Sequence, residues 1–195
     1  MLIQTYSIED CNFFDDATID RTSKYDTTSS TGQTFSYDSN ESAYKITRTS
    51  DGFGSIIVKD LSVDTDVEIS IDFKQSSCYN NQPRLALFNA NNGVCGRLAK
   101  FNGGNQMGLS TITKTADGTV IGSLKNISSN WSKYYTIKVI FDGSTVTEEL
   151  YDGDTLIDSV TGTQSILSSN NNVGVQHCYF NGCTVYLKNL KVKPL

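Results

Sequence analysis

The sequence predicts an all-β fold, two packed antiparallel sheets, and three observations carry that prediction. Short runs alternate apolar and polar residues with period two, turn pairs such as Asp-Gly separate them at close spacing, and no long amphipathic helical repeat appears in the 195 residues. The clearest stretch runs from Trp131 to Val160. Tyr135, Ile137, Val139 and Phe141 alternate with Thr136, Lys138 and Ile140, and Asp142-Gly143 ends the run. Val146 and Leu150 precede Asp152-Gly153, and Leu156 to Val160 follow. Glycine tolerates the positive φ of a tight hairpin turn, so the pattern is an antiparallel meander. A second layer must cover its apolar face.

The remaining elements follow in chain order. Leu2, Tyr6 and Ile8 read as a first short strand, and Phe13-Phe14 leads into the acidic Asp15, Asp16 and Asp20. Residues 17–40 are polar, with one short strand at Thr34–Tyr37. Strands are then expected at Ala43–Arg48, Ser55–Lys59 and Thr65–Lys74. In the last of these Val67, Ile69, Ile71 and Phe73 share one face, opposite Glu68, Ser70, Asp72 and Lys74. Arg84–Phe88 and Val94–Phe101 come next, joined by a turn-rich loop. Met107–Thr113 and Thr119–Leu124 read as a hairpin around Asp117-Gly118. After the meander, Val173–Phe180 and Thr184–Val192 read as a closing hairpin around Asn181-Gly182. In its second strand Val185 and Leu187 have one parity, Leu190 and Val192 the other, so a bulge is expected near Lys188-Asn189. Glu148 shares the parity of Val146 and Leu150. Because an unpaired buried carboxylate is costly, a bulge is expected at Glu148-Glu149 as well.

Composition limits the function classes. The length suits one sandwich domain over residues 1–195 with a full core. The formal net charge is −5, which argues against a nucleic-acid partner, since phosphate binding needs clustered Lys and Arg. Lys188, Lys191 and Lys193 form the one local basic cluster and read as edge-strand lysines that deter aggregation. No apolar run approaches the roughly 20 residues of a membrane-spanning helix, so membrane insertion is not expected. Met1 to Asp10 lacks a basic region followed by an apolar core. The chain is therefore expected to be made in a cytoplasm or trimmed from something longer. Five cysteines do not complete a disulfide framework. In a Cys178–Cys183 hairpin the two would sit diagonally, about 7–8 Å apart at Cα, so the cysteines are expected to be mostly reduced and partly buried.

The run W-S-K-Y-Y-T-I-K-V-I-F-D-G-S-T-V-T-E-E-L-Y-D-G from Trp131 resembles the corresponding hairpin of the concanavalin A-like, laminin-G-like jelly-roll domains of the lectin and glucanase superfamily. Val173-Gly174-Val175 and Tyr186 to Pro194 are similar to the closing strands of that superfamily. The resemblance covers about the C-terminal two thirds. It implies a jelly roll, with Trp131 in a packing role, and a function among lectins, carbohydrate-binding modules, glycosidases, lyases and virion proteins. Several relatives hold calcium with an N-terminal acidic loop and a last-strand Asp. Here Lys188-Asn189 stands at that place, so neither a metal nor a cofactor is expected.

The catalytic motifs of such relatives are incomplete. The E-x-D-x-E pattern of jelly-roll glycosidases would need a carboxylate at Ser70 and a Glu in place of Asp72, where this sequence has E-I-S-I-D. Glu68 and Asp72 lie roughly 13 Å apart at Cα in a regular strand, far from the 5–5.5 Å carboxyl spacing of a retaining hydrolase. The lyase element Q-x-H finds only a faint echo at Val175-Gln176-His177. His177, the one histidine, shares parity with Val173 and Val175 and is expected in or beside the core. The chain is therefore read as a non-catalytic domain that binds cell-surface carbohydrate. The lack of a visible signal, the reduced cysteines and the fold type place it on a virion, as a phage tail or other adhesive component, or on an extracellular surface. A homo-oligomer or a larger virion assembly accompanies that reading. A degenerate polysaccharide-cleaving glycosidase or lyase and an architectural assembly domain are the alternatives. Asp72, Arg84, Phe88 and Arg97 fall on the non-core parity of three strands consecutive in sequence. They are the expected ligand-binding residues, with Tyr79 at the rim, because guanidiniums, a carboxylate and a ring can bond and stack on a sugar.

Overall fold

The structure, a computed structural model, describes residues 20, 22–76, 81–101, 104–128 and 133–195. Among them fourteen strands form two seven-stranded antiparallel sheets. The strands are β1 (Tyr25–Asp26), β2 (Gln33–Asp38), β3 (Ala43–Arg48), β4 (Gly52–Val63), β5 (Asp66–Gln75), β6 (Gln82–Asn89), β7 (Asn92–Phe101), β8 (Gly104–Thr113), β9 (Ala116–Ile127), β10 (Tyr135–Asp142), β11 (Thr145–Asp152), β12 (Thr155–Thr163), β13 (Asn171–Tyr179) and β14 (Thr184–Pro194). The first sheet has the order β1-β4-β13-β6-β7-β8-β9, and the second β12-β11-β10-β5-β14-β3-β2. The expected leading strand, Phe13-Phe14, Asp15, Asp16 and Trp131 lie outside the described residues.

The period-two pattern produces the core. Ile71 pairs with Ile137, Ile69 with Val139 and Val67 with Phe141 across β5 and β10, and none of the six is more than 3% exposed. Leu85, Leu87, Val94, Leu98, Val173 and Val175 meet them from the first sheet, all within one apolar cluster. Each such side chain contributes roughly 1.5–3 kcal/mol by leaving water. Positive φ at Gly143 and Gly153, 55° and 58°, closes the two hairpins of the meander over two-residue loops. The expected bulge near Lys188-Asn189 is present, with the β14–β5 register shifting between Lys188 and Lys191 and Asn189 at φ 55°. Leu187 and Leu190 can therefore both face inward.

Four expectations are corrected. β13 and β14 are not a hairpin: Asn181-Gly182 carries the chain from the first sheet to the second. Cys178 thus never stands across from Val185, and Cys183 is disulfide-bonded; of the described cysteine side chains, Cys95 is free and buried. β14 lies between β5 and β3, but β3 pairs only with Thr184–Leu187, so Lys188, Lys191 and Lys193 stand on the stretch of β14 that pairs with β5 alone, an open edge as expected. The β8–β9 turn is Lys114-Thr115, and Asp117-Gly118 lie inside β9. Glu148 sits in unbroken register with Val139, and the β11 irregularity falls at Leu150/Tyr151 instead. Glu148 is accordingly in the core, fully buried. Gly96 opposite leaves it room, because a Cβ there would meet Glu148 Cγ at 3.0 Å.

Edges of the two sheets meet at both ends of the sandwich. At one end β9 lies against β12. At the other, Tyr25 of β1 packs edge-on against Phe35 and Tyr44, with centroids 5.2 and 5.6 Å away.

Candidate functional site: the concave face of the first sheet

The outward face of the first sheet is strongly curved. Ile57 on β4 and Ile112 on β8 belong to one apolar cluster with Ala86, Phe88 and Cys95, although three strands lie between β4 and β8 in the sheet order. Two register shifts in the β8–β9 pairing, at Met107/Leu109 and Ser110/Ile112, bend the hairpin as bulges do. Its tip arches back over the sheet. Ser55 Oγ donates to the Lys114 carbonyl (2.6 Å) and Gln176 Nε2 to the Thr113 carbonyl (2.6 Å).

Polar side chains occupy the stretch beyond the apolar cluster. Arg84 and Arg97 are direct cross-strand partners on β6 and β7, so two guanidiniums stand side by side on one face. The Arg84 side chain is fully buried. It donates to Asp117 Oδ1 (2.9 Å) and Gln176 Oε1 (3.0 Å) through Nη1, and to Gln82 Oε1 (3.0 Å) through Nη2. Its Cζ lies 5.4 Å from the centroid of the Phe53 ring, within cation–π range. Asp117 hangs from the hairpin tip with 39% of its side chain exposed, so the charge balancing Arg84 is open to water. Arg97 is only 6% exposed, makes no ion pair or side-chain hydrogen bond among the described residues, and buries Nε without an acceptor. Ser110 Oγ, two residues along β8 from the Gly108 that faces Arg97, is buried and unpartnered too. Burial pushes the Cys95 thiol up to about 12, which keeps it protonated and without nucleophilic character.

The structure brings together three of the five expected binding residues. Arg84, Phe88 and Arg97 share the concave face, with Phe88 fully buried at its apolar end. Asp72 does not join them. The connection after β5 crosses to the other sheet, so strands consecutive in sequence are not neighbours, and Asp72 lies on the outer face of the second sheet. There it accepts from Thr136 Oγ1 and Asn189 Nδ2, both at 2.6 Å. Tyr79 lies outside the described residues. Gln82 and Gln176 were not among the expected residues, though strand parity with Arg84 and with Gly174 would have found them. Phe53 and Asp117 could not be found that way, since the curl that delivers them leaves no local pattern.

The second sheet's outer face is a lattice of lysines, tyrosines and carboxylates. Lys138 stands between Glu149 (3.1 Å) and Glu68 (3.9 Å), and Lys188 Nζ lies 3.9 Å from the Tyr134 centroid. Glu68 and Asp72 are thus each occupied by separate partners. Among the described residues no group of three or more His, Cys, Asp or Glu side chains could hold a metal. His177 is in the core as expected, fully buried. Its Nε2 pairs with Asn81 Oδ1 at 2.7 Å, which leaves Nδ1 as the bare nitrogen. Burial and then Arg48 lower its pKa to about 3.

No family model matches the sequence, and no curated protein does either. Solved structures do match. The carbohydrate-binding module CBM66 from Bacillus subtilis is 18% identical, with a TM-score of 0.65 over 87% of this chain and 95% of that one. A legume lectin-like domain from Entamoeba histolytica is 10% identical, with a TM-score of 0.64 over 89% and 91%. A GH43 protein from Bacillus licheniformis is 11% identical, with a TM-score of 0.66 over 94% of this chain but 39% of its own. With their shared sandwich and the sheet orders above, the chain has the concanavalin A-like, lectin-type jelly-roll fold.

Proposed function

We propose that this chain is a carbohydrate-recognition domain that binds glycan without cleaving it. The observation that carries the reading is the polar end of the concave face. Arg84, Arg97, Gln82, Gln176 and Ser110 gather donors and acceptors there beside the partly buried ring of Phe53, the equipment that hydroxyl recognition uses. The fold shared with a carbohydrate-binding module and a lectin-like domain supports it. Cleavage by the usual route needs two carboxylates about 5–9.5 Å apart. Among the described residues, the named concave-face strand positions carry none, and Asp117 above them is held by Arg84. The finer reading, exposure on a virion or a cell exterior as part of an adhesive assembly, belongs to the same proposal. The disulfide at Cys183 supports an oxidising surrounding and removes reduced cysteines from its premises.

The test is retention on a panel of immobilised polysaccharides, neutral and acidic, with parallel assays for new reducing ends and unsaturated sugars. Saturable retention on some glycans with no product is expected. Product release would establish the glycosidase or lyase reading in its place, and retention on none would end the carbohydrate reading.

A further inference from the structure

We propose that the ligand of the concave face is an anionic glycan, one whose sugar carries a carboxylate or a sulfate, and that Arg97 is the residue that receives the anion. This deepens the carbohydrate reading and rests on it. Two cations occupy adjacent strands at one cross-strand pair, and the structure answers only one of them. Arg84 is matched by Asp117 and two side-chain amides. Arg97, 6% exposed, makes no ion pair among the described residues, and Asp117, the carboxylate over this face, is engaged by Arg84. Glu148, behind Gly96 on the core side, is pushed toward its neutral form by burial and cannot balance it.

A buried guanidinium without acceptors is costly, so this arrangement is one a ligand would complete. Nε is the atom of Arg97 cut off from water without an acceptor. The two terminal nitrogens are not sealed in the same way, and a carboxylate or sulfate accepting from both forms a bidentate fork that guanidinium geometry favours. Ser110 Oγ is a second unsatisfied hydrogen-bonding group on the same face, two cross-strand pairs away. Leu124, 38% exposed, lies over Gly108, the residue directly across from Arg97. It offers an apolar wall against which a sugar ring can rest. The chain as a whole carries −5, so long-range steering does not bring an anion here. The recognition is local.

The experiment measures affinity of the full chain for polyuronate oligosaccharides, the same oligosaccharides after carboxyl reduction, a sulfated galactan and its desulfated form. A carboxylate or sulfate ligand is expected to bind roughly ten- to a hundredfold more tightly than its neutral counterpart, the range a charge-assisted hydrogen bond supplies. The polyuronate and galactan arms identify which anion it is. Arg97→Met keeps the apolar stem and should erase the preference, while Arg97→Lys, a charge without the fork, should restore only part of it. Should Arg97→Met fail to fold, the comparison of native and carboxyl-reduced or desulfated ligand on the parent chain decides alone. Equal affinity for charged and neutral forms overturns this inference and leaves the carbohydrate reading intact. Binding to no glycan of any kind overturns both.

Discussion

Glu148 and His177 place two titratable groups in the core whose effects on stability run in opposite directions with pH. Burial raises the Glu148 pKa well above its ordinary value, and the Arg97 charge only partly offsets this. A carboxyl raised on folding contributes fully below its unfolded pKa, near 4.3, and that contribution is lost as pH rises toward the folded value. Glu148→Met, of similar volume, is therefore expected to match the parent in thermal melts at pH 4 and to exceed it at pH 8 by about 1–2 kcal/mol. A parent that gains on the variant with rising pH would mean an ionised Glu148 paired with Arg97. His177 runs the other way. Its pKa falls from about 6.5 to about 3 on folding, so its contribution is present above 6.5 and lost as pH falls through that window. The loss reaches at most about 1.4 kcal/mol per pH unit for this one group. Its imidazole resonances are expected to stay fixed between pH 8 and pH 5, and a mid-range titration would show that the ring is not sealed in.

At the scale of elements, the β14 bulge couples backbone and side chain. Asn189 holds a positive φ of 55°, a conformation Asn accepts better than most residues, and its amide donates to Asp72 Oδ2. Asn189→Ala removes both features and is expected to cost about 1–3 kcal/mol. Asn189→Gly keeps the backbone and should cost less, as denaturant midpoints would report. That bulge was legible in the sequence because Leu187 and Leu190 cannot both face inward in a regular strand. Strand faces were legible in β5 and β10 because Val67 and Ile137 sit in runs that alternate with less buried polar residues, whereas β6 and most of β7 are buried on both faces. Sheet membership was not legible. Nothing between Gln75 and Gln82, or at Asn181-Gly182, distinguishes a turn within a sheet from a crossing between sheets, and the misplacement of Asp72 and the presumed last hairpin both follow from that. Glu148 escaped for another reason. The rule that a buried carboxylate is costly holds, but here the strand stays regular and the proton stays on.

At the scale of the molecule, closure of the sandwich depends on the seam between β9 and β12, where edges of the two sheets meet. Two kinds of contact hold it. Lys125 pairs with Asp158, and Ile121 packs onto the backbone of Gly162, so closely that a Cβ on Gly162 would lie 2.5 Å from Ile121 Cγ2. The ion pair has side chains 41% and 35% exposed, and pairs of that kind contribute about 0–1 kcal/mol after solvent screening. The close approach is steric, and a side chain forced into it costs about 1–3 kcal/mol. Because β9 runs from this seam into the hairpin tip that roofs Arg84, widening the seam should also loosen the concave face. Gly162→Val is thus expected to lower the urea midpoint and to speed amide exchange in residues 113–118, while Lys125→Ala leaves both nearly unchanged. A Lys125→Ala loss equal to that of Gly162→Val would assign closure to charge, and a destabilised Gly162→Val with unaltered exchange at the tip would separate the seam from the site.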